Sequence, residues 1–249
     1  MSWLRPFEQR PAASRHLICF PYGGASASAY REWAQDAPGL QAHAVQYPGR
    51  GDRFTEPLVV DVREAARHVA AEAMPLADRP VALFGHSLGA YLAYETALVM
   101  AAGGRPACLL VVSGARAPHD PAREQERYAN LQDDDFLEVV RQLGGTDHDL
   151  LADADLRDLM LPILRADFRA AENYAARPAP SLTCPMVCML GGQDPLTGQR
   201  EAGLWAAACR GGFTFCLFQG GHFFPWEHRR RVIRTVLDHL ADVEVGHGR

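Results

Sequence analysis

Gly85-His86-Ser87-Leu88-Gly89 sets a serine between two glycines in a G-x-S-x-G pentapeptide. The apolar run Val81-Ala82-Leu83-Phe84 precedes it and Ala90-Tyr91-Leu92-Ala93-Tyr94 follows, so the local order is strand, tight turn, helix. The glycines let neighbouring backbone approach a strained turn. The serine is carried to a helix N-terminus, where unpaired N–H groups favour developing negative charge. A serine so placed suits nucleophilic attack on an acyl carbon. The competing reading is a glycine-rich strand-to-helix turn with no chemistry.

A strand–turn–helix serine resembles the nucleophile turn of α/β-hydrolases, in which a carboxylate and then a histidine follow the serine in chain order. Ten histidines compete for the role of base. His222 is the choice, because it stands in Gln219-Gly220-Gly221-His222, directly after the last strand-like run, Phe213–Phe218. His228 and His239 fall in the closing helix, on its surface. His86 points away from the site and packs or hydrogen-bonds below it. The acid is Asp194, after Met189-Leu190-Gly191-Gly192-Gln193. It would accept the imidazole N–H, fix the tautomer and stabilise the imidazolium. Asp194-Pro195 is also an ordinary helix start. After the preceding strand, Val112-Ser113-Gly114-Ala115-Arg116, no carboxylate occurs before Asp120, a weak alternative. Two backbone N–H groups must receive the oxyanion. One is that of Leu88. The other comes from Tyr22-Gly23-Gly24-Ala25, where Gly23 is favoured, unless these glycines only make a turn.

The elements that must hold these groups alternate between strand and helix. Strands are expected at His16–Phe20, Ala42–Tyr47, Pro80–Phe84, Ala107–Val112, Met186–Leu190 and Phe213–Phe218. Helices are expected at Ser28–Asp36, Asp61–Met74 (capped by Asp61), Leu88–Ala102 and Pro225–Ala241, with a frayed tail from Val243. That order calls for a mostly parallel sheet covered by helices on both faces. Residues 117–180 break the rhythm: they are rich in Asp, Glu, Arg, Leu and Ala, with helical patterns at Asp134–Gln142 and Ala154–Tyr174. The expected division is a core of 1–116 and 181–249 with a helical insertion, 117–180, over the C-terminal edge of the sheet, where such folds bind ligands.

Composition narrows the classes. The 249 residues carry 25 Lys+Arg against 30 Asp+Glu, a net charge of −5, so a nucleic-acid binder is not expected. Every basic residue among those 25 is arginine. Schiff-base chemistry, a pyridoxal-phosphate lysine and a Walker-A loop are thereby excluded. The six cysteines form no C-x-x-C pair and read as buried reduced thiols, which suits a reducing cytoplasm. The N-terminus MSWLRPFEQRP has no signal-peptide core, and no apolar run is long enough for a membrane span.

Taken together, Phe20-Pro21-Tyr22-Gly23-Gly24-Ala25, Val45-Gln46-Tyr47-Pro48-Gly49-Arg50-Gly51-Asp52-Arg53, Gly85–Ala90, Gly191–Pro195 and Gly221–Phe224 resemble type II thioesterases, the stand-alone α/β-hydrolases that accompany polyketide and non-ribosomal peptide synthases. The Q-Y-P-G-R stretch and the F-P loop carry the resemblance, which runs from about Leu17 to Leu240. The loop departs from the family's frequent Ala-Gly-Gly. The resemblance implies hydrolysis of acyl or aminoacyl thioesters from phosphopantetheine on carrier proteins, with no resident cofactor, and a helical lid. A carrier-domain serine, which G-H-S-L also resembles, begins a helix after a loop in a small bundle; the β-prone run and the chain length argue against it. A general esterase or lipase, or a non-catalytic carrier-binding scaffold, are the other readings. Gln46, Arg50 and Asp52 match the signature and suggest a structural network around the loop. Arg229-Arg230-Arg231 and Arg234 form a basic patch that either steers acidic carriers or is a solvated helix face.

Overall fold

The computed structural model describes residues 2–125, 127–144, 153–175 and 182–247. Strands β1 (Leu4–Pro6), β2 (Arg15–Phe20), β3 (Leu40–Val45), β4 (Val81–His86), β5 (Leu109–Ser113), β6 (Met186–Gly191) and β7 (Phe213–Phe218) form one sheet in the order β1-β3-β2-β4-β5-β6-β7. Only β1 is antiparallel, pairing Leu4 with Val45; the other pairings are parallel. The strand order reverses between β2 and β4, so the loops leaving them meet at the topological switch point, where open α/β sheets bind ligands. This is the α/β-hydrolase architecture.

Strand residues alternate between two cores, as a pleat of period two requires. Ile18, Phe20, Leu83, Leu110 and Val112 face α2 (Val62–Ala73) and α3 (Leu88–Ala102). Leu17, Cys19, Ala82, Phe84, Leu109 and Val111 face α1 (Arg31–Asp36) and the C-terminal helix. Asp61 caps α2 as expected, its side chain accepting from the N–H groups of Arg63 and Glu64. The α3 sequence is apolar on nearly every side because it is covered on nearly every side; Leu88 to Ala97 are all buried. None of the six cysteines is in a disulfide. No helix among the described residues is long and apolar enough to cross a membrane.

Several boundaries differ from the sequence expectation. The strand expected to reach Tyr47 ends at Val45, because the Gln46 side chain donates to the Arg50 carbonyl at 2.9 Å and accepts from Ala27 N–H at 3.1 Å, building a turn instead. The first helix opens as a 3₁₀ turn over Ala27–Tyr30. The closing helix is two pieces, α6 (Phe224–Glu227) and α7 (Arg229–His247), broken at His228. The helical backbone continues past Val243 to His247.

Between β5 and β6 the chain forms α4 (Asp133–Leu143) and α5 (Ala154–Asn173); the expected boundary at 180/181 lies outside the described residues. Helix α5 is fixed at both ends. Asp153 accepts from Asp155 and Leu156 N–H, and the Arg123 guanidinium donates to the Ala171 and Tyr174 carbonyls at 2.7 and 2.8 Å. Phe136, Leu137, Val140 and Leu164 make its own small core, joined by Phe168, whereas Leu159 is 46% exposed.

A buried histidine pair bridges β2 and β3: His16 Nδ1 and His43 Nε2 are 3.1 Å apart. Burial lowers the pKa of both, that of His43 to about 4. In the unfolded chain they titrate near 6.5. As pH falls from 6.5 towards 4 the unfolded state takes up protons that the fold refuses, so stability is lost in that window. The His43 shift alone implies a loss of about 1.4 kcal/mol between pH 7.5 and pH 5.5. Denaturant titrations at the two pH values should show at least this loss, and His43→Gln should reduce the difference by about that amount; equal stability at both would refute the assignment.

Candidate active site

Ser87 sits at φ +55°, the only described non-glycine residue with positive φ. Its neighbours explain how the turn is held. A Cβ on Gly85 would come within 2.1 Å of the Gly89 carbonyl oxygen, and one on Gly89 within 2.1 Å of the Phe20 carbonyl oxygen. The Ser87 N–H donates to the Ser113 carbonyl at 2.9 Å, tying the turn to β5. A strained serine backbone persists only where its surroundings determine it this fully.

Two further loops are joined edge to edge. Gly192 N–H donates to the Phe218 carbonyl at 2.9 Å and Gln193 N–H to that of Gly220 at 3.0 Å. Their closeness depends on Gly191, where a Cβ would meet the Gly221 carbonyl oxygen at 2.2 Å. This brings Asp194 Oδ2 to 2.8 Å from His222 Nδ1, with the side chains 0% and 2% exposed. Asp194 Oδ1 accepts from Leu196 N–H at 2.9 Å. The carboxylate is therefore oriented on both oxygens, and Nε2 remains as the imidazole nitrogen for the cavity that His222 and Ser87 both line.

The rival groups are engaged elsewhere. Asp120 accepts from Ala122 N–H at 3.0 Å and faces Arg116 at 3.5 Å. His86 lies fully buried beneath the site, its Nδ1 3.0 Å from Ser113 Oγ and its ring 4.8 Å from that of His222. Burial, and then the neighbouring His222, push its pKa well down and keep it neutral. Arg229 belongs to no free patch: it pairs with Glu32 and, at 2.7 Å, with Asp36, while Arg231 lies over the Phe218 ring.

The cavity encloses about 100 Å³. Ser87, Leu88, Gly23 and His222 line it together with Val140 of α4 and Phe168 of α5. Leu88 is the first residue of α3, where helix N–H groups lack intrahelical partners. In the facing loop the Gly24 N–H is committed to Asp167 Oδ2 at 2.7 Å, which leaves Gly23 as the loop glycine on the cavity. Asp167 is the residue of this site that sequence reading missed. It pairs with Arg50, so the network expected around the loop exists for Gln46 and Arg50; exposed Asp52 instead pairs with half-buried Arg5 at 2.7 Å.

An α/β-hydrolase sheet, a serine on a strained turn at its switch point and a buried His–Asp pair on the two loops beyond define the class as that of the serine-hydrolase-like α/β proteins. Within it the chain belongs to the thioesterase family: the family model described as a thioesterase domain matches residues 15–240. The chain is thus a hydrolase of thioesters. It is 39% identical over 243 residues to the thioesterase PikA5 of Streptomyces venezuelae, covering 96% of this chain and 85% of that protein. Among solved structures it resembles BorB, a type II thioesterase from the borrelidin biosynthetic cluster (37% identity, TM-score 0.82, 96% and 97% of the two chains). It also resembles YbtT, a type II thioesterase of the yersiniabactin pathway (27% identity, TM-score 0.88, 97% and 99%).

Proposed function

We propose that the chain acts as a type II thioesterase, hydrolysing acyl or aminoacyl thioesters from the phosphopantetheine arm of carrier proteins and so clearing stalled or mis-primed chains. The observation that carries this is the oriented Asp194–His222 pair opening, with Ser87, onto an apolar cavity roofed by the helical segment within 117–180, which serves as a lid. His222 Nε2 takes the Ser87 proton as Oγ attacks the thioester carbon. The oxyanion is received by the N–H groups of Leu88 and Gly23. The C–S bond breaks, the proton passes from His222 to the leaving sulfur, and an acyl-serine remains. Water, deprotonated by the same nitrogen, attacks the acyl carbon; the C–Oγ bond breaks, His222 returns the proton to Ser87 Oγ, and the acid leaves. No metal or resident cofactor enters; the phosphopantetheine arrives with the substrate.

A carboxylesterase would use identical groups, so the substrate decides. The acyl-carrier thioester should be hydrolysed with higher kcat/KM than the matching oxygen ester or acyl-N-acetylcysteamine. Equal or faster turnover of free oxygen esters would overturn the proposal. A scaffold role is disfavoured by the alignment of Asp194 and His222, which mere docking does not need.

Phe168 gives a second test. Its ring stacks edge-on against Phe136 at 5.1 Å and lines the cavity. Phe168→Ala should shift the preferred acyl length upwards. Because such truncations cost about 3–5 kcal/mol when fully buried, melting curves must accompany the kinetics. An unchanged chain-length profile in a folded variant would remove Phe168 from the acyl site.

A further inference from the structure

Helix α5 and the loop after β2 meet through one carboxylate. Asp167, its side chain fully buried, accepts at Oδ2 from Gly24 N–H (2.7 Å) and from Arg50 Nη1 (2.5 Å), and at Oδ1 from Arg50 Nη2 (2.7 Å). Arg50 is itself 4% exposed and lies 117 residues away in sequence. Burying a bidentate ion pair carries a large desolvation cost, and losing one partner strands a charge. Hydrophobic packing would join a helix to a loop with neither drawback, so the position of the pair calls for a local cause.

The loop supplies one. The Gly24 N–H lies in the Gly23–Gly24 peptide plane, and its bond to Asp167 holds that plane; the Gly23 N–H lies in the adjoining Tyr22–Gly23 plane, which hinges on it at the Gly23 Cα. Gly24 has φ +83°, and a Cβ there would come within 2.7 Å of Leu164 Cδ2 on α5. Glycine suits this left-handed backbone, which lies directly against α5. Charge matters as well. An uncompensated carboxylate one residue from an oxyanion donor would oppose the negative charge that develops on the substrate oxygen, and the guanidinium cancels it.

We infer that Arg50 and Asp167 are positioning residues: a charge-neutral clamp that holds the Gly23–Gly24 peptide, and through it the neighbouring Gly23 N–H, for the oxyanion and ties α5 to this loop. The inference rests on the proposed Ser87 chemistry with Gly23 as a donor. It requires that turnover, rather than substrate binding, depend on the pair.

The test uses acyl-N-acetylcysteamine, which removes carrier docking, with kcat, KM and melting temperature measured for each protein. Arg50→Met leaves the carboxylate uncompensated beside the oxyanion and should lower kcat by about 10²-fold with KM little changed. Asp167→Asn keeps an acceptor for Gly24 N–H and should cost about tenfold. The double variant Arg50→Met/Asp167→Asn is neutral and still accepts that bond, so it should recover about tenfold over Arg50→Met. Should Arg50→Met fail to fold, Arg50→Lys retains the charge without the bidentate fit and should fall between wild type and Asp167→Asn. Wild-type kcat in the folded single variants, no recovery in the double variant, or losses that merely track melting temperature would each overturn the clamp. Thioesterase activity that survives Ser87→Ala would instead remove the proposed function, and this inference with it. Ser87 dependence with an indifferent Arg50 removes the clamp alone.

Discussion

Ser87→Ala is expected to lower kcat by about 10⁶-fold, the scale on which a serine-centred triad of the subtilisin kind fails when its nucleophile is lost. The reason is local. The backbone of Ser87 is held at φ +55° in a turn whose glycines admit no Cβ, which fixes the hydroxyl at the mouth of α3 where the cavity lies. A serine-directed phosphonate should label the native protein at Ser87 and leave the alanine variant unlabelled, as read by mass spectrometry. Ser87→Gly adds a control that separates chemistry from folding. It should be equally inactive, yet more stable than Ser87→Ala by about 1 kcal/mol, because glycine accepts positive φ without the strain an alanine retains. Retained turnover or labelling at another residue in the alanine variant would exclude Ser87 as the nucleophile.

The chain discloses this serine because its signal is contiguous: strand, glycine-framed turn and helix lie within about twenty residues, and each element has its own periodicity. The sheet was readable for the same reason, since buried parallel strands are apolar runs between glycine- and proline-rich breaks. What the chain conceals about its site is mostly non-local. Asp167 looks like any polar residue of an amphipathic helix, and only the fold sets it against Gly24, 143 residues earlier. Arg229 reads as part of a basic run until α1 brings Glu32 and Asp36 to it from 197 and 193 residues away. His16 and His43 are two unremarkable strand residues until β2 and β3 pair. Strand β1 has three residues ending in proline, too short for any period, and is possible because the sheet edge asks nothing of a missing N–H.

Asp194→Asn is the second large effect, expected at about 10⁴-fold in kcat by the logic of a chymotrypsin-type triad. The geometry makes the prediction sharp, because the amide is nearly isosteric and the fold should survive it. Oδ1 would still accept from Leu196 N–H, but an amide NH₂ facing His222 Nδ1 would donate where the carboxylate accepts. The imidazole would then carry its proton on Nε2, the nitrogen that must receive the proton of Ser87. Asp120→Asn should leave kcat near the wild-type value, since that carboxylate serves the Ala122 turn and Arg116. No acid can replace Asp194 from the end of β5 either. Gly114 occupies that position at φ +56°, and a Cβ there would lie 2.5 Å from His86 Cε1 and 3.3 Å from His222 Cε1. A carboxylate grafted at Gly114 into Asp194→Asn should therefore fail to restore turnover and should destabilise the protein. Rescue by Gly114→Asp, or a larger loss from Asp120→Asn than from Asp194→Asn, would move the acid to the preceding strand.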